Sequence, residues 1–164
     1  MAFSTNDLLT VAGCLREAAL AEIMPRFRSL SAHEIRQKSS ALDLVTDADE
    51  AAERFMTARL KELFPGCSVI GEESTEKDRS LLTKIAEPDL LFILDPVDGT
   101  ANFASGLPLF GVMAAVVKKG EIIGGLIYDP LGEDWALALR GEGAWFESLD
   151  GKRRDMKVAK PAPV

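Results

Sequence analysis

The apolar run Leu90, Leu91, Phe92, Ile93, Leu94 passes directly into Asp95, Pro96, Val97, Asp98, Gly99 and Thr100. A short continuous apolar run bounded by turn residues reads as a buried strand, so two carboxylates and a glycine turn stand at its mouth. Carboxylates flanking a tight turn can converge oxygen ligands on Mg²⁺, which binds through one or two carboxylates, keeps several waters and recruits phosphate oxygens. Gly99 lets backbone approach a ligand closely, and a helix beginning at Thr100 would turn free N–H groups and its dipole toward a phosphate. The pattern points to metal-assisted phosphate chemistry. The plain alternative is that Asp95 caps a turn and Asp98-Gly99 is an ordinary loop dipeptide.

Two more acidic clusters lie nearby in the chain. Val69 and Ile70 read as a short strand ending in Gly71, Glu72, Glu73, Ser74, and two such strand exits can meet at one edge of a sheet. In Asp43, Leu44, Val45, Thr46, Asp47, Ala48, Asp49 an extended segment passes into a helix, where Thr46 or Asp47 can also serve simply as a cap.

With these three segments in order, the sequence resembles the inositol monophosphatase family of Mg²⁺-dependent, Li⁺-sensitive sugar and cyclitol phosphatases. Lys38, Ser39, Ser40 with Asp43 to Asp49 is similar to the family's lysine and threonine-acid segment; Gly71 to Ser74 to its Gly-Glu-Glu-Ser; Asp95 to Phe103 to its D-P-[ILV]-D-G-T-x-N-F signature. The likeness continues through the strands after Gly106 and through Arg140 to Ala144. It implies that Glu72 and Asp95, with the main-chain carbonyl of Val97, hold a first metal, and that Asp95 and Asp98 contribute to a second. It also implies that Glu72 and Thr100 orient and deprotonate the attacking water, that Asp49 supports that pair, and that Gly99 and Thr100 main-chain groups, beside Asp98, cradle the phosphate of a small phosphorylated substrate.

The family pattern also includes a downstream aspartate in a Trp-Asp-x-Ala motif. Trp135 and Trp145 are followed by Ala136 and Phe146, so neither begins it. The expectation is that residues 1–164 form a single domain equivalent to the N-terminal, metal-binding half, with the C-terminal half absent, the second metal short of a carboxylate and turnover impaired.

A net charge of −7 argues against a generic nucleic-acid or anionic-membrane surface, because phosphates are repelled unless a cation intervenes. No segment approaches the ~18 apolar residues of a membrane-spanning helix, and no basic region precedes an apolar stretch at the N-terminus. Cys14 and Cys67 have no second cysteine or histidine near them in sequence, so they read as buried free thiols in a reducing, cytoplasmic compartment. His33 is the only histidine; it reads as an exposed loop residue and leaves oxygen ligands as the chemical repertoire.

Leu8, Leu9, Ala12, Leu15, Ala19, Ile23 recur at helical spacing up to Pro25, and Ala52, Phe55, Met56, Leu60, Leu63 make the buried stripe of a second helix ending near Pro65-Gly66. Ile35 to Gln37 and Leu42 to Val45 read as strands around Lys38. Ser74 to Pro88 reads as a charged, solvated stretch with a short helical run around Leu81 to Ile85, able to act as a flap over the site and to carry an additional metal. Phe110 to Val117 and Glu121 to Tyr128, split by Lys118-Lys119-Gly120, signal a hairpin. Trp135 to Leu139 and Ala144 to Phe146 add strands, and the tail after Asp155 reads as frayed. The fold class is α+β, with helices packed on a largely antiparallel sheet; the resemblance extends this to the N-terminal half of a layered αβαβα sugar-phosphatase fold. An apolar sheet edge or face left open would favour self-association, most simply as a homodimer.

Several other functions compete. A haloacid-dehalogenase-type loop places its nucleophile two residues before the second aspartate, whereas Asp95 and Asp98 are three apart. The same fold acting on 3′-phosphoadenosine nucleotides, fructose bisphosphate or histidinol phosphate is separated poorly by sequence, although Asn102 leans toward the inositol phosphatase branch. The opposite class is a non-catalytic metal-binding or scaffold domain.

Overall fold

A computed structural model describes residues 3–38 and 44–159. The chain runs α1 (Thr5–Ala18), β1 (Ile35–Gln37), β2 (Leu44–Thr46), α2 (Asp47–Leu63), β3 (Ser68–Gly71), α3 (Glu72–Lys77), β4 (Leu91–Asp98), α4 (Thr100–Ala104), β5 (Gly111–Lys118), β6 (Glu121–Asp129), β7 (Asp134–Leu139), β8 (Gly143–Ser148) and β9 (Arg153–Met156). Strands β3 to β9 form one sheet in sequence order, in which β3 pairs parallel with β4 and every later pair is antiparallel. A separate antiparallel pair, β1 with β2, leads into α2.

Helix α1 begins at Ser4, whose hydroxyl accepts from the Asp7 amide while the Asp7 carboxylate accepts from the Ser4 amide at 2.8 Å, a reciprocal cap that satisfies two otherwise unpaired donors. Its apolar stripe, Leu8, Val11, Ala12, Leu15 and Ala18, is buried, and the helix continues through a wider π-helical turn at Ala19–Ile23 before a 3₁₀ turn carrying Pro25 ends it. Helix α2 buries Ala52, Met56 and Leu60, with Phe55 and Leu63 partly covered. Both helices lie on one face of the sheet and share a core with Phe92, Leu94, Val112, Val116, Leu126, Leu137 and Trp145. This is the expected α+β arrangement, and it anchors the ends of β3 and β4 from which the acidic residues emerge.

The opposite face is covered near β3, where Leu81 and Ile85 pack against Ile70, Leu91 and Val117, and open beyond it. Ile93, Met113, Ala115, Ile127, Ala138 and Met156 line a shallow apolar groove of about 450 Å³ there. Between β5 and β6 the turn Lys119-Gly120 has both residues at positive φ, 51° and 79°, the geometry that matches the twist of a tight hairpin.

Several boundaries differ from those read in the sequence. Strand β4 does not stop at Leu94 but carries Asp95 and Asp98 within it, because the backbone keeps pairing with β5 across an irregularity between those two residues. Glu76 and Lys77 belong to α3, not to a solvated loop, and the short helical run read around Leu81 to Ile85 is present as a 3₁₀ helix over Arg79–Lys84. Strand β9 is unforeseen: polar Arg153, Arg154 and Asp155 carry no apolar alternation, and pairing with β8 supplies the order. The strand expected from Leu42 is seen as Leu44–Thr46; Ser39 to Asp43, and the tail from Lys160, lie outside the described residues. His33 is exposed, in a 3₁₀ turn.

Cys14 and Cys67 are both free; Cys14 is buried and Cys67 half-buried, so only the first fits the expected buried thiol fully. Burial, then the nearby Glu17 carboxylate, pushes the Cys14 thiol up to about 12, with Arg59 working weakly the other way. At pH 8 a thiol-specific alkylating agent is expected to modify Cys67 well before Cys14 in the native chain, and both at similar rates in urea; mass spectrometry of a labelling time course reads this directly.

Candidate metal centre and active site

Parallel pairing of β3 with β4 sets Gly71 opposite Leu94, so Glu72, the first residue of α3, and Asp95, still within β4, follow side by side. The two acidic exits read separately in the sequence thus meet at one sheet end. Asp95 Oδ1 is buried and has no hydrogen-bond partner. Burial raises the Asp95 pKa, and the carboxylates of Glu72 and Asp98 raise it further, with Glu72 within hydrogen-bonding reach. Glu72 is half-exposed and Asp98 is exposed.

Helix α2 brings the third segment to the same place. Thr46 caps the helix and Asp49 closes the reciprocal cap, accepting from the Thr46 amide at 2.8 Å and from its hydroxyl at 2.5 Å. The other oxygen of Asp49, fully buried, accepts from the Thr100 hydroxyl at 3.1 Å. Capping and site support are therefore performed by the same residue. Burial raises the Asp49 pKa against the lowering effect of its hydrogen bonds with Thr46 and Thr100. The Thr100 hydroxyl also lies 2.9 Å from the Val97 carbonyl. With one proton to donate, it serves one of these acceptors at a time.

Gly99 has φ 91°, and a Cβ there would meet the Leu109 carbonyl oxygen at 2.8 Å. Both facts require glycine at the turn that starts α4 at Thr100, as the sequence suggests.

Three residues add to what sequence reading placed here. Lys38 donates to Glu72 at 2.8 Å and to Glu73 at 2.7 Å. Burial acts to lower the Lys38 pKa, but hydrogen bonds to these two carboxylates hold it above the ordinary lysine value. Glu73 is buried, which together with the carboxylates of Glu72 and Asp49 pushes it up to about 7 against the opposing pull of Lys38. Glu53, one helical turn beyond Asp49, is buried and accepts from the amides of Glu73 and Ser74. Its i, i+4 spacing from Asp49 was the available signal. Among the described residues the buried polar or charged side chains are Thr46, Asp49, Glu53 and Glu73, and all belong to this one cluster. Burying charge without full compensation is costly, so such concentration marks a site and not a packing solution.

Among the described residues no group of three or more acidic, cysteine or histidine side chains is already drawn together as a metal cage. The donor chemistry nevertheless suits a hard divalent cation. Asp95 offers a buried, unpartnered oxygen, Glu72 and Asp98 stand around it, and Lys38, bound to Glu72 and Glu73, leaves Asp95 Oδ1 without a partner.

The inositol monophosphatase family matches this sequence over residues 5–163. The chain belongs to that family. Relatives include Nus factor SuhB of Salmonella typhimurium, 34% identical over 148 residues, covering 90% of this chain and 52% of the relative. Fructose-1,6-bisphosphatase/inositol-1-monophosphatase of Thermotoga maritima is 32% identical over 112 residues, covering 68% and 40%. Among solved structures, the Thermotoga maritima IMPase superposes with a TM-score of 0.71 at 27% identity over 87% of this chain and 51% of that one. The extragenic suppressor protein suhB of Bartonella henselae gives 0.68 at 28% identity, covering 87% and 52%. The chain thus spans about half the length of these relatives.

The raised carboxylates give a sign for pH dependence. An acid whose folded pKa lies above its unfolded value holds its proton more tightly when folded, so its contribution to stability falls as pH rises from the ordinary carboxylate range, about 4, toward the folded value. For Glu73 that window ends at about 7. Metal-free protein is therefore expected to lose melting temperature from pH 5 to pH 7.5. Asp95→Asn should flatten that slope and raise Tm at pH 7.5 by about 2–8 °C, since 1 kcal/mol is worth about 2–4 °C at this size. Calorimetric melts of both proteins across this pH range measure the difference; an unchanged slope in the variant would remove Asp95 from the account.

Proposed function

We propose that this chain carries the metal-binding half of a Mg²⁺-dependent phosphomonoesterase acting on inositol 1-phosphate or a related small phosphate ester. The observation that carries the reading is the buried, unpartnered Asp95 oxygen beside Glu72 and Asp98, at a sheet end where Thr100 is held by Asp49. Glu72, Asp95, the Val97 carbonyl and Asp98 are the residues that would hold Mg²⁺. Bound there, Mg²⁺ would supply positive charge to offset the clustered carboxylates and would polarise water and phosphate oxygens. Glu72 and Thr100 position the attacking water and take up its proton, while Asp49 fixes the Thr100 hydroxyl. Main-chain groups of Gly99 and Thr100, beside Asp98, bind the phosphate.

Two features shape the substrate and partner assignments. One relative carries fructose-1,6-bisphosphatase in its name, which makes fructose 1,6-bisphosphate the second substrate to assay. Others carry the name Nus factor and no phosphatase in it, which keeps a non-catalytic binding domain as the alternative. The assignment of no nucleic-acid partner rests on the net charge of −7 alone. No helix of the described residues is long and apolar enough to cross a membrane. A cytoplasmic setting is proposed from the free thiols.

The test is phosphate release from inositol 1-phosphate by the 164-residue chain at saturating Mg²⁺, with and without Li⁺. Turnover is expected to be weak, Li⁺-sensitive and lost in Asp95→Asn, whereas Thr100→Ala should keep Mg²⁺ affinity by calorimetry and lose about 10²–10⁴-fold in rate. Folded protein that binds Mg²⁺ and releases no phosphate would favour the binding domain. The open apolar face supports a homodimer; light scattering coupled to size exclusion should give twice the chain mass, and a monomer at high concentration would refute it.

A further inference from the structure

Helix α3 has six residues, too few to hold itself, since isolated helices below about 12–15 residues are marginal in water. Its N-cap is Gly71, which has no side chain to cap with. The free amides of its first turn are instead served from another helix. Glu53 Oε2 accepts from the Glu73 amide at 2.7 Å and Oε1 from the Ser74 amide at 3.0 Å, so one buried carboxylate grips two successive N–H groups. Charge-assisted bonds of this kind are the stronger class, and a negative group at a helix start is favoured by the backbone dipoles.

Gly71 is fitted to this grip. Its φ of −110° is open to any residue, yet a Cβ there would stand 2.1 Å from Glu53 Cδ and 2.2 Å from Oε2. The glycine is required by the carboxylate and not by the backbone. The residue between Gly71 and the gripped amides is Glu72.

Resting on the phosphatase reading above, we propose that Glu53 is the positioning residue for Glu72, and that α2 acts as a common support holding both members of the water-activating pair. Asp49 fixes the Thr100 hydroxyl, and Glu53, four residues on and so on the same helix face, fixes the first turn of α3 that presents Glu72. The separation of Glu72 from Thr100 is thus set by one rigid helical turn.

Glu53→Gln replaces one acceptor oxygen by a donor facing an N–H, and Gly71→Ala displaces the carboxylate without changing charge. Both variants are expected to bind Mg²⁺ about 10- to 100-fold more weakly by calorimetry, the usual range for groups that orient metal ligands, with circular dichroism unchanged. In nuclear magnetic resonance spectra the Glu73 and Ser74 amide protons should lie downfield and exchange slowly in the wild type, and shift upfield in both variants. Unaltered Mg²⁺ affinity in the folded variants would overturn the proposal, as would wild-type Glu73 and Ser74 amides that exchange at loop rates, a measurement that stands even if a variant fails to fold. If the wild type binds no Mg²⁺, the phosphatase reading falls while the positioning of Glu72 is decided by ¹⁵N relaxation of Glu72 to Ser74: rigid in the wild type and loosened in Gly71→Ala supports it, equal mobility in both refutes it.

Discussion

The mutual repulsion of carboxylates at one end of the sheet is the constraint on which the rest of this structure depends. Glu72, Asp95 and Asp98 crowd together where β3 and β4 end, with Asp49 and Glu73 close behind. In water such charges would separate; here strand pairing and helix packing hold them in place. The protein offsets the repulsion locally, through Lys38 on Glu72 and Glu73, through hydroxyl and amide donors on Asp49, and through backbone amides on Glu53. Asp95 Oδ1 is left uncompensated. A fold that tolerates this arrangement holds energy that a divalent cation can release.

Helix α2 links the site to the core. Its apolar stripe, Ala52, Met56 and Leu60, packs against the sheet, while its first two turns carry Thr46, Asp49 and Glu53 toward the carboxylate cluster. Core packing and site geometry are therefore one mechanical unit, and movement of the helix against the sheet would be felt at Thr100 and at α3. The opposite sheet face is covered only near β3, by Leu81 and Ile85, so residues such as Met113 and Ile127 remain open to a further apolar surface.

Much of the fold was legible because local physics and tertiary structure agree. The stripe from Leu8 to Ile23, with Val11 buried in it and the expected Leu9 exposed one position off the face, the Lys119-Gly120 hairpin and the helix start at Thr100 follow from periodicity, turn chemistry and glycine's tolerance of positive φ. Strand β9 and helix α3 were not legible, since Arg153 to Asp155 and Glu72 to Lys77 have no apolar period and owe their order to β8 and to Glu53. Lys38 and Glu73 could be named as parts of a family-like segment, yet nothing in the linear sequence pairs them.

By itself, the sequence determined the chemistry: which carboxylates, which glycine turn and which hydroxyl are available, and that their spacing is that of the inositol monophosphatase family. Tertiary structure alone decided which groups share a charge environment. Glu72 meets Asp95 through parallel strand pairing, Thr100 meets Asp49 across 51 residues, and Glu53 meets the Glu73 amide across 20. The physical reason is that helix period and turn propensity act over a few residues, whereas electrostatic energy depends on distance in space, which only the packed chain defines.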